Sequence, residues 1–151
     1  IASGGMASRV LYSSDKGKTW QVFDTPIVQG TPTAGMYSID FYDAQNGFAV
    51  GGDYTQPQAV SNTKIKTSDG GQTWQVVSGK NSPGYRSCVQ YVPKSNAQGL
   101  VVVGFEGIDY SADGGLYWRH LSDEGFYTLR FLNDSTAFAA GKGRIAKLNF
   151  K

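Results

Sequence analysis

Apolar residues recur along this chain in short alternating runs, and none of the runs keeps a helical period. RVLYS (9–13), TKIKT (63–67) and IDYS (108–111) mix polar with β-branched or aromatic positions, the pattern of a strand whose successive side chains face opposite ways. TWQVF (19–23), TWQVV (73–77) and YWRHL (117–121) read the same way. A polar stretch rich in Asp and Gly separates the members of each pair, so each pair is predicted to be a hairpin. Two more sets of runs recur in the same order. MYSIDFYD (36–43), RSCVQYVP (86–93) and FYTLRFLND (126–134) are each followed, after a polar turn, by GFAVGGD (47–53), GLVVVGFEG (99–107) and TAFAAGKG (136–143). The repeating unit is therefore four strands, here a to d. Without a capped 3.6-residue period, almost no helix is expected.

The turns between strands c and d fix the period. They read SSDKGKTW (13–20), TSDGGQTW (67–74) and SADGGLYW (111–118). From Asp15 to Asp69 is 54 residues and from Asp69 to Asp113 is 44, a period of about 45 with one insertion. Residues 55–62, TQPQAVSN, are the expected insertion. Four antiparallel strands at this spacing describe the blades of a β-propeller, each burying its faces against its neighbours. The fold class expected is all-β. Residues 1–24 should form the end of one blade, 36–78 and 85–122 two blades, and 126–151 a partial last blade. IASGG at the start resembles the end of a strand b, and RIAKLNFK is a strand c without a d behind it. The chain is thus expected to be a single partial domain, three to four blades of a six- to eight-bladed propeller whose remaining blades would be its first partner.

Each turn residue has a local task. The carboxylates of Asp15, Asp69 and Asp113 can accept bonds from amides that the bend leaves unpaired. The hydroxyls of Ser13, Thr67 and Ser111 can pin the strand end, and Gly17, Gly71 and Gly115 can take φ > 0. Trp20, Trp74 and Trp118 should lie between blades, where burying ~150–250 Å² is worth at most ~4–6 kcal/mol at ~25 cal/mol/Å². One carboxylate per turn is too few for calcium. No metal and no organic cofactor is expected.

Composition removes other classes. With 14 basic and 12 acidic residues the net charge is +2, too near balance for a nucleic-acid surface. No apolar run reaches the length of a membrane span. Cys88 is the one cysteine, which leaves no internal disulfide and reads as a small buried apolar residue. His120 stands alone on an outer strand and reads as a surface or packing residue rather than a ligand.

The three turns resemble the Asp-box, or BNR-repeat, propellers, whose motif is Ser/Thr-x-Asp-x-Gly-x-Thr-Trp. The first two copies fit at every fixed position, and the third departs at Tyr117, which should cost it one hydroxyl bond. NGFAVGGDY (46–54) and TAFAAGKGRI (136–145) are similar to the strand-b signature of the photosystem II stability/assembly factor-like group, including its secreted bacterial members. Some of those carry oxidoreductase or glycosyl hydrolase labels. No dinucleotide motif or cysteine pair stands here to support a redox role. The resemblance also reaches sialidases, sortilin-type receptors and glucan-cleaving hydrolases. A sialidase needs an arginine triad and a Phe/Tyr-Arg-Ile-Pro motif, but Tyr85 and Arg86 are followed by Ser87 and Cys88. Asp40, Asp43, Glu106, Asp109, Asp123 and Glu124 could supply the two carboxylates of a glucanase, though each also reads as a turn or rim residue.

Strand a lines the channel of a propeller. Aligning IDF (39–41), VQY (89–91) and LRF (129–131) puts Asp40, Gln90 and Arg130 at equivalent positions of three blades. Arg86, with Tyr85 beside it, and Arg130 are what the resemblance implies for contact with an acidic partner. The function expected is a non-catalytic binding or assembly propeller, secreted or in the periplasm or cell envelope, that engages a protein or glycan at a rim or channel end. The alternative is a glycan-acting hydrolase with catalytic groups partly in other blades.

Overall fold

The structure, a computed structural model, describes residues 1–150. Thirteen strands and no helix occur among them. β1 (Arg9–Tyr12) and β2 (Gln21–Asp24) form a two-stranded sheet. β3 (Ala34–Phe41), β4 (Gly47–Asp53), β5 (Lys64–Thr67) and β6 (Gln75–Val76) form the second sheet in that order. β7 (Cys88–Tyr91), β8 (Leu100–Gly104), β9 (Gly107–Ser111) and β10 (Arg119–Ser122) form the third, and β11 (Thr128–Phe131), β12 (Thr136–Gly141) and β13 (Arg144–Asn149) the last. Every pairing within these sheets joins consecutive strands antiparallel. Each sheet is therefore a meander whose β-turns need no crossover.

The apolar core lies between the sheets as three seams. Val10 of the first sheet and Ile27, in the connection that follows it, pack with Met36, Ala49, Ile65 and Trp74 of the second. Phe48, Val50 and Val77 of the second pack with Val89, Tyr91, Leu100, Val102 and Trp118 of the third. Cys88, Val101, Val103 and Ile108 of the third pack with Phe126, Leu129, Ala137 and Ala139 of the last. The period-2 alternation of a strand explains the division. Along β4, Ala49 faces one seam while Phe48 and Val50 face the other.

Side chains also close the backbone edges between sheets. The amides of Val89 and Tyr91, on the inner edge of the third sheet, donate to Ser38 Oγ at 3.1 Å and to Asp40 Oδ2 at 2.7 Å. Cys88, 4% exposed, directs its thiol toward the carbonyl of Leu129 across the next seam at 3.8 Å. A buried amide without a partner costs about 1–3 kcal/mol, so these bonds hold the inner strands at a fixed spacing.

Candidate functional site

The three Asp turns are nearly superimposable in their bonding. In the second, Thr67 Oγ donates to Asp69 Oδ1 (2.7 Å), the Gly71 amide donates to Thr67 Oγ1 (3.0 Å), and Thr73 donates through its amide and hydroxyl to the two carboxylate oxygens (2.9 and 2.5 Å). The first turn repeats this through Ser13, Asp15, Gly17 and Thr19. In the third, Ser111, Gly115 and the Tyr117 amide play the same parts around Asp113, and Tyr117 has no hydroxyl to match that of Thr73. The amide of Thr19 and the hydroxyls around it hold Asp15 down to about 2. The Thr73 hydroxyl and amide lower Asp69, and the Tyr117 amide lowers Asp113. Each indole N–H closes its own turn on the glycine carbonyl, at 3.1, 3.0 and 3.0 Å. All of this capacity is spent inside the turn, on residues of one hairpin. No group of three or more potential metal ligands occurs among the described residues.

One Trp departs from expectation. Trp74 and Trp118 are 7% and 1% exposed in the first and second seams, but Trp20 is 45% exposed. No preceding sheet among the described residues stands against its indole.

Arg86 is not on the surface of a channel or rim. It is 4% exposed, donates from Nε and Nη2 to Asp109 Oδ2 (2.8 and 2.6 Å), and donates from Nη1 to the Tyr85 carbonyl (2.8 Å). Its amide donates to Gly51 of the second sheet at 3.2 Å. The side chain lies along Gly104, where an added Cβ would stand 3.1 Å from Arg86 Cδ. Arg86 is thus a strut that ties the third sheet together and to the second. The reason it escaped sequence reasoning is that its partner, Asp109, is two strands away. The other oxygen of Asp109 meets His120 Nδ1 at 2.9 Å, and His120 Nε2 meets Asp123 at 3.0 Å. His120 is therefore held between two carboxylates, contrary to its reading as a solitary residue, and the bond to Asp109 raises its pKa. Beside this group lies Lys64, 1% exposed, bonded to Thr63 Oγ1 at 3.0 Å and to the Pro83 carbonyl. Burial, and then the charge of Arg86, lowers its pKa to about 7.

The strand-a triplet divides by burial. Asp40 and Gln90 are half-buried and Arg130 is exposed. Burial raises Asp40, against the bond from the Tyr91 amide and the field of Arg130. Asp40 and Arg130 are close enough to interact electrostatically, while Arg130 Nη1 is also held by the Leu129 carbonyl at 2.6 Å. Arg86 and Arg130 are not brought together as a basic patch.

Tyr85 leads elsewhere. Its ring meets Tyr37 edge-on at 4.9 Å, Tyr54 at 6.4 Å and Phe105 at 5.3 Å, and Tyr37 meets Tyr54 at 6.3 Å. Tyr85 is 7% exposed, but Tyr37, Tyr54 and Tyr127 are 39%, 46% and 52% exposed. Burial pushes the Tyr85 phenol up to about 12, with Tyr37, Tyr127 and Tyr54 adding to the effect. Burial raises the Tyr37 phenol in the same direction, so these two rings meet as uncharged phenols at neutral pH. The residues of the cluster come from the starts of strands a and the b-to-c connections, the end of the sheets opposite the Asp turns.

Local sequence builds this end. A bulge between Met36 and Ser38 shifts the register of β3 and turns Tyr37 outward. The inserted residues 55–62 fold onto the rim, where the Tyr85 amide donates to the Pro57 carbonyl at 2.9 Å. Gly52, at φ 132°, backs onto Tyr85, and a Cβ there would stand 2.9 Å from Tyr85 Cα. Two carboxylates flank the rings. Asp53, lowered by the Thr55 hydroxyl, accepts from it at 2.6 Å, and Glu106 accepts from Gln58 at 2.9 Å. Sequence reasoning named only Tyr85 of this set. Tyr37 and Tyr127 occupy one repeat position, two residues before Ile39 and Leu129 of the aligned triplets, and that coincidence was the available signal.

No family model and no curated protein matches the chain. Solved structures do. The structure of YCF48 bound to D1 peptide is similar over 93% of this chain and 44% of its own, with 20% identity and a TM-score of 0.66. The GH74 enzyme of Niastella koreensis is similar over 95% of this chain and 25% of its own (19% identity, TM-score 0.67). An ancestral GH74 enzyme is similar over 96% and 21% (14% identity, TM-score 0.63). This chain spans less than half the length of each. At such identities the likeness speaks for architecture alone, and with four antiparallel sheets stacked face to face that architecture is the all-β propeller.

Proposed function

We propose that this chain belongs to a non-catalytic binding propeller, acting in the cell envelope or outside the cell, and that it engages a protein partner through the tyrosine rim. The observation that carries the reading is the exposed face of Tyr37, Tyr54 and Tyr127 around the buried Tyr85. Tyrosines supply large contact area at low entropic cost and are enriched where proteins meet. The rim carboxylates Asp53 and Glu106 favour a partner segment with apolar or basic side chains over the acidic partner that Arg86 would have suited. A propeller of similar fold has been solved with a peptide bound, which supports a protein segment as the occupant. The test is to immobilise the chain and to quantify what it retains from a cell-envelope extract. Tyr54→Ala with Tyr127→Ala should reduce that capture while the melting temperature stays within a few degrees. Capture unaffected by the double variant overturns the rim.

The glycan-acting reading has one specific support, the likeness to two GH74 enzymes. Against it, the carboxylates that could form a catalytic pair are engaged: Asp109 by Arg86 and His120, Asp123 by His120, Glu124 by Arg144, Asp43 by the amides of Gln45 and Asn46, and Asp40 by the Tyr91 amide. Hydrolysis of glucan oligosaccharides that is lost in Asp40→Asn, with stability kept, would turn the conclusion to this reading.

A further inference from the structure

Three rings of the tyrosine cluster stand nearly perpendicular to one another. The planes of Tyr37 and Tyr54 meet at 80°, those of Tyr37 and Tyr85 at 82°, and those of Tyr54 and Tyr85 at 78°, with centroids 6.3, 4.9 and 6.4 Å apart. Planes so related form a corner. At these separations one cation can lie within ~6 Å of all three centroids, the reach of a cation–π contact. The corner is also fixed in advance. Tyr85 is 7% exposed and packs on Phe105 at 5.3 Å. The Tyr37 hydroxyl donates to the Thr33 carbonyl at 2.8 Å. Tyr54 follows Asp53 in a turn closed by the bond that the Gln56 amide donates to the Asp53 carbonyl at 3.0 Å.

The charge around this corner is negative, and the chain itself does not answer it. Asp53 lies within electrostatic reach of Tyr37. The amide and hydroxyl of Thr55 both donate to its Oδ1, at 2.9 and 2.6 Å. Glu106 follows Phe105 and accepts from the uncharged amide of Gln58 at 2.9 Å. Neither carboxylate pairs with a cation among the described residues, whereas Asp24, Asp109, Glu124 and Asp134 each do. The cations that the chain sets over its own rings lie at Trp118, Tyr110 and Phe126, away from this corner. Lys142 spends a bond on the Phe105 carbonyl at 3.0 Å rather than on either carboxylate.

We propose that this corner receives an arginine side chain of the partner segment. The proposal rests on the tyrosine rim as the contact surface and names what that surface selects. The guanidinium plane lies against the part-exposed rings of Tyr37 and Tyr54 while its edge donates to Asp53. Arginine suits the corner better than lysine. Its delocalised cation is more weakly hydrated, and its planar fork of five donors can face a ring and a carboxylate at once. The net charge of the chain is +2, which gives no general attraction for a basic segment, so selection has to come from these local groups.

A heptapeptide of glycine and serine with one central arginine is the probe, with binding to the isotope-labelled 151-residue chain read from amide shifts. Saturable shifts centred on Tyr54 and Tyr85 are expected. Citrulline in place of the arginine keeps the shape and loses the charge, and should weaken binding at least about fivefold, as for loss of a cation–π contact. Asp53→Asn keeps an oxygen for Thr55 and should weaken the arginine peptide several-fold with the melting temperature unchanged. Asp24→Asn, at an exposed carboxylate of the first sheet, should leave binding intact. Equal affinity for the citrulline peptide, binding that survives both Asp53→Asn and Tyr54→Ala, or no saturable binding by the folded chain each overturns the proposal. Tetramethylammonium that binds more tightly than the arginine peptide overturns it in favour of a small quaternary ammonium solute. Capture from the envelope extract separates this proposal from the rim reading beneath it. Capture that is lost in Tyr54→Ala with Tyr127→Ala, yet kept in Asp53→Asn and in excess arginine amide, leaves the rim and overturns the arginine. Capture that the double variant keeps overturns the rim itself, even where the arginine peptide binds.

Discussion

Trp20 and Trp118 close turns of the same sequence pattern and end in opposite surroundings. Each indole donates to the carbonyl of its turn glycine, at 3.1 and 3.0 Å, and each turn is organised by one aspartate bonded to a hydroxyl and an amide of its own hairpin. Yet Trp118 is 1% exposed and Trp20 is 45% exposed. Turn geometry is therefore a local property of the motif, and burial is supplied by the preceding sheet. Hydrogen bonds shape the hairpin; the seam gives the aromatic residue its energetic weight.

The comparison is most directly broken by truncating the two tryptophans. Trp118→Ala removes a fully enclosed ring and should cost about 3–5 kcal/mol in denaturant unfolding. Trp20→Ala should cost about 1 kcal/mol or less, as for part-exposed positions. Equal losses would mean that the indole matters through its turn and not through the seam.

A comparable loss, about 3–5 kcal/mol, is expected for Arg86→Ala, because it leaves Asp109 buried with its strongest partner gone. Arg86→Ala with Asp109→Ala should recover part of it, and the coupling between the two substitutions measures the strut. Lys64 sharpens the picture of the same seam through pH. Its folded pKa of about 7 lies below its ordinary 10.5, so between these values the unfolded chain holds the extra proton. Stability should therefore rise with pH across that window. Lys64→Met should flatten the rise in melting temperature.

Smaller effects belong to the turns. Asp15 is held near 2 against an ordinary 3.8, and Asp69 and Asp113 are lowered in the same direction. Their contribution is present above about pH 4 and is lost as pH falls through the folded values, so acid should weaken the turns together. Asp69→Ala should lower the melting temperature by less than Trp118→Ala does and should flatten this acid limb. The smallest change expected is Tyr117→Thr. It restores the hydroxyl that Thr73 gives to Asp69, at an exposed position, and should raise the melting temperature slightly.

Strand order, the placing of the Asp turns between strands c and d, and the packing of the core as seams were all legible, because they rest on period-2 patterning and on turn chemistry that acts within a few residues. The insertion at 55–62 was legible as a break in the period. What it does, folding onto Tyr85 through Pro57, was not, since that bond spans two sheets. Arg86 was misjudged for the same reason: a basic residue before a strand looks exposed until the register of β9 brings Asp109 beneath it. The tyrosine rim was half visible. Tyr37 and Tyr127 share a repeat position, but Tyr54 and Phe105 join them only when the b-to-c connections of adjacent sheets converge.

Cys88 turns the third seam into something that can be timed. It is the single thiol of the chain, 4% exposed, and lies against Leu129 of the last sheet. A thiol reagent can reach it only while those sheets part, so its labelling rate at increasing reagent concentration reports how often they part and, at saturation, how fast. Since each sheet touches only its neighbours, that rate belongs to one seam rather than to the whole chain. The cysteine is a stopwatch set at the joint between the third and last sheets.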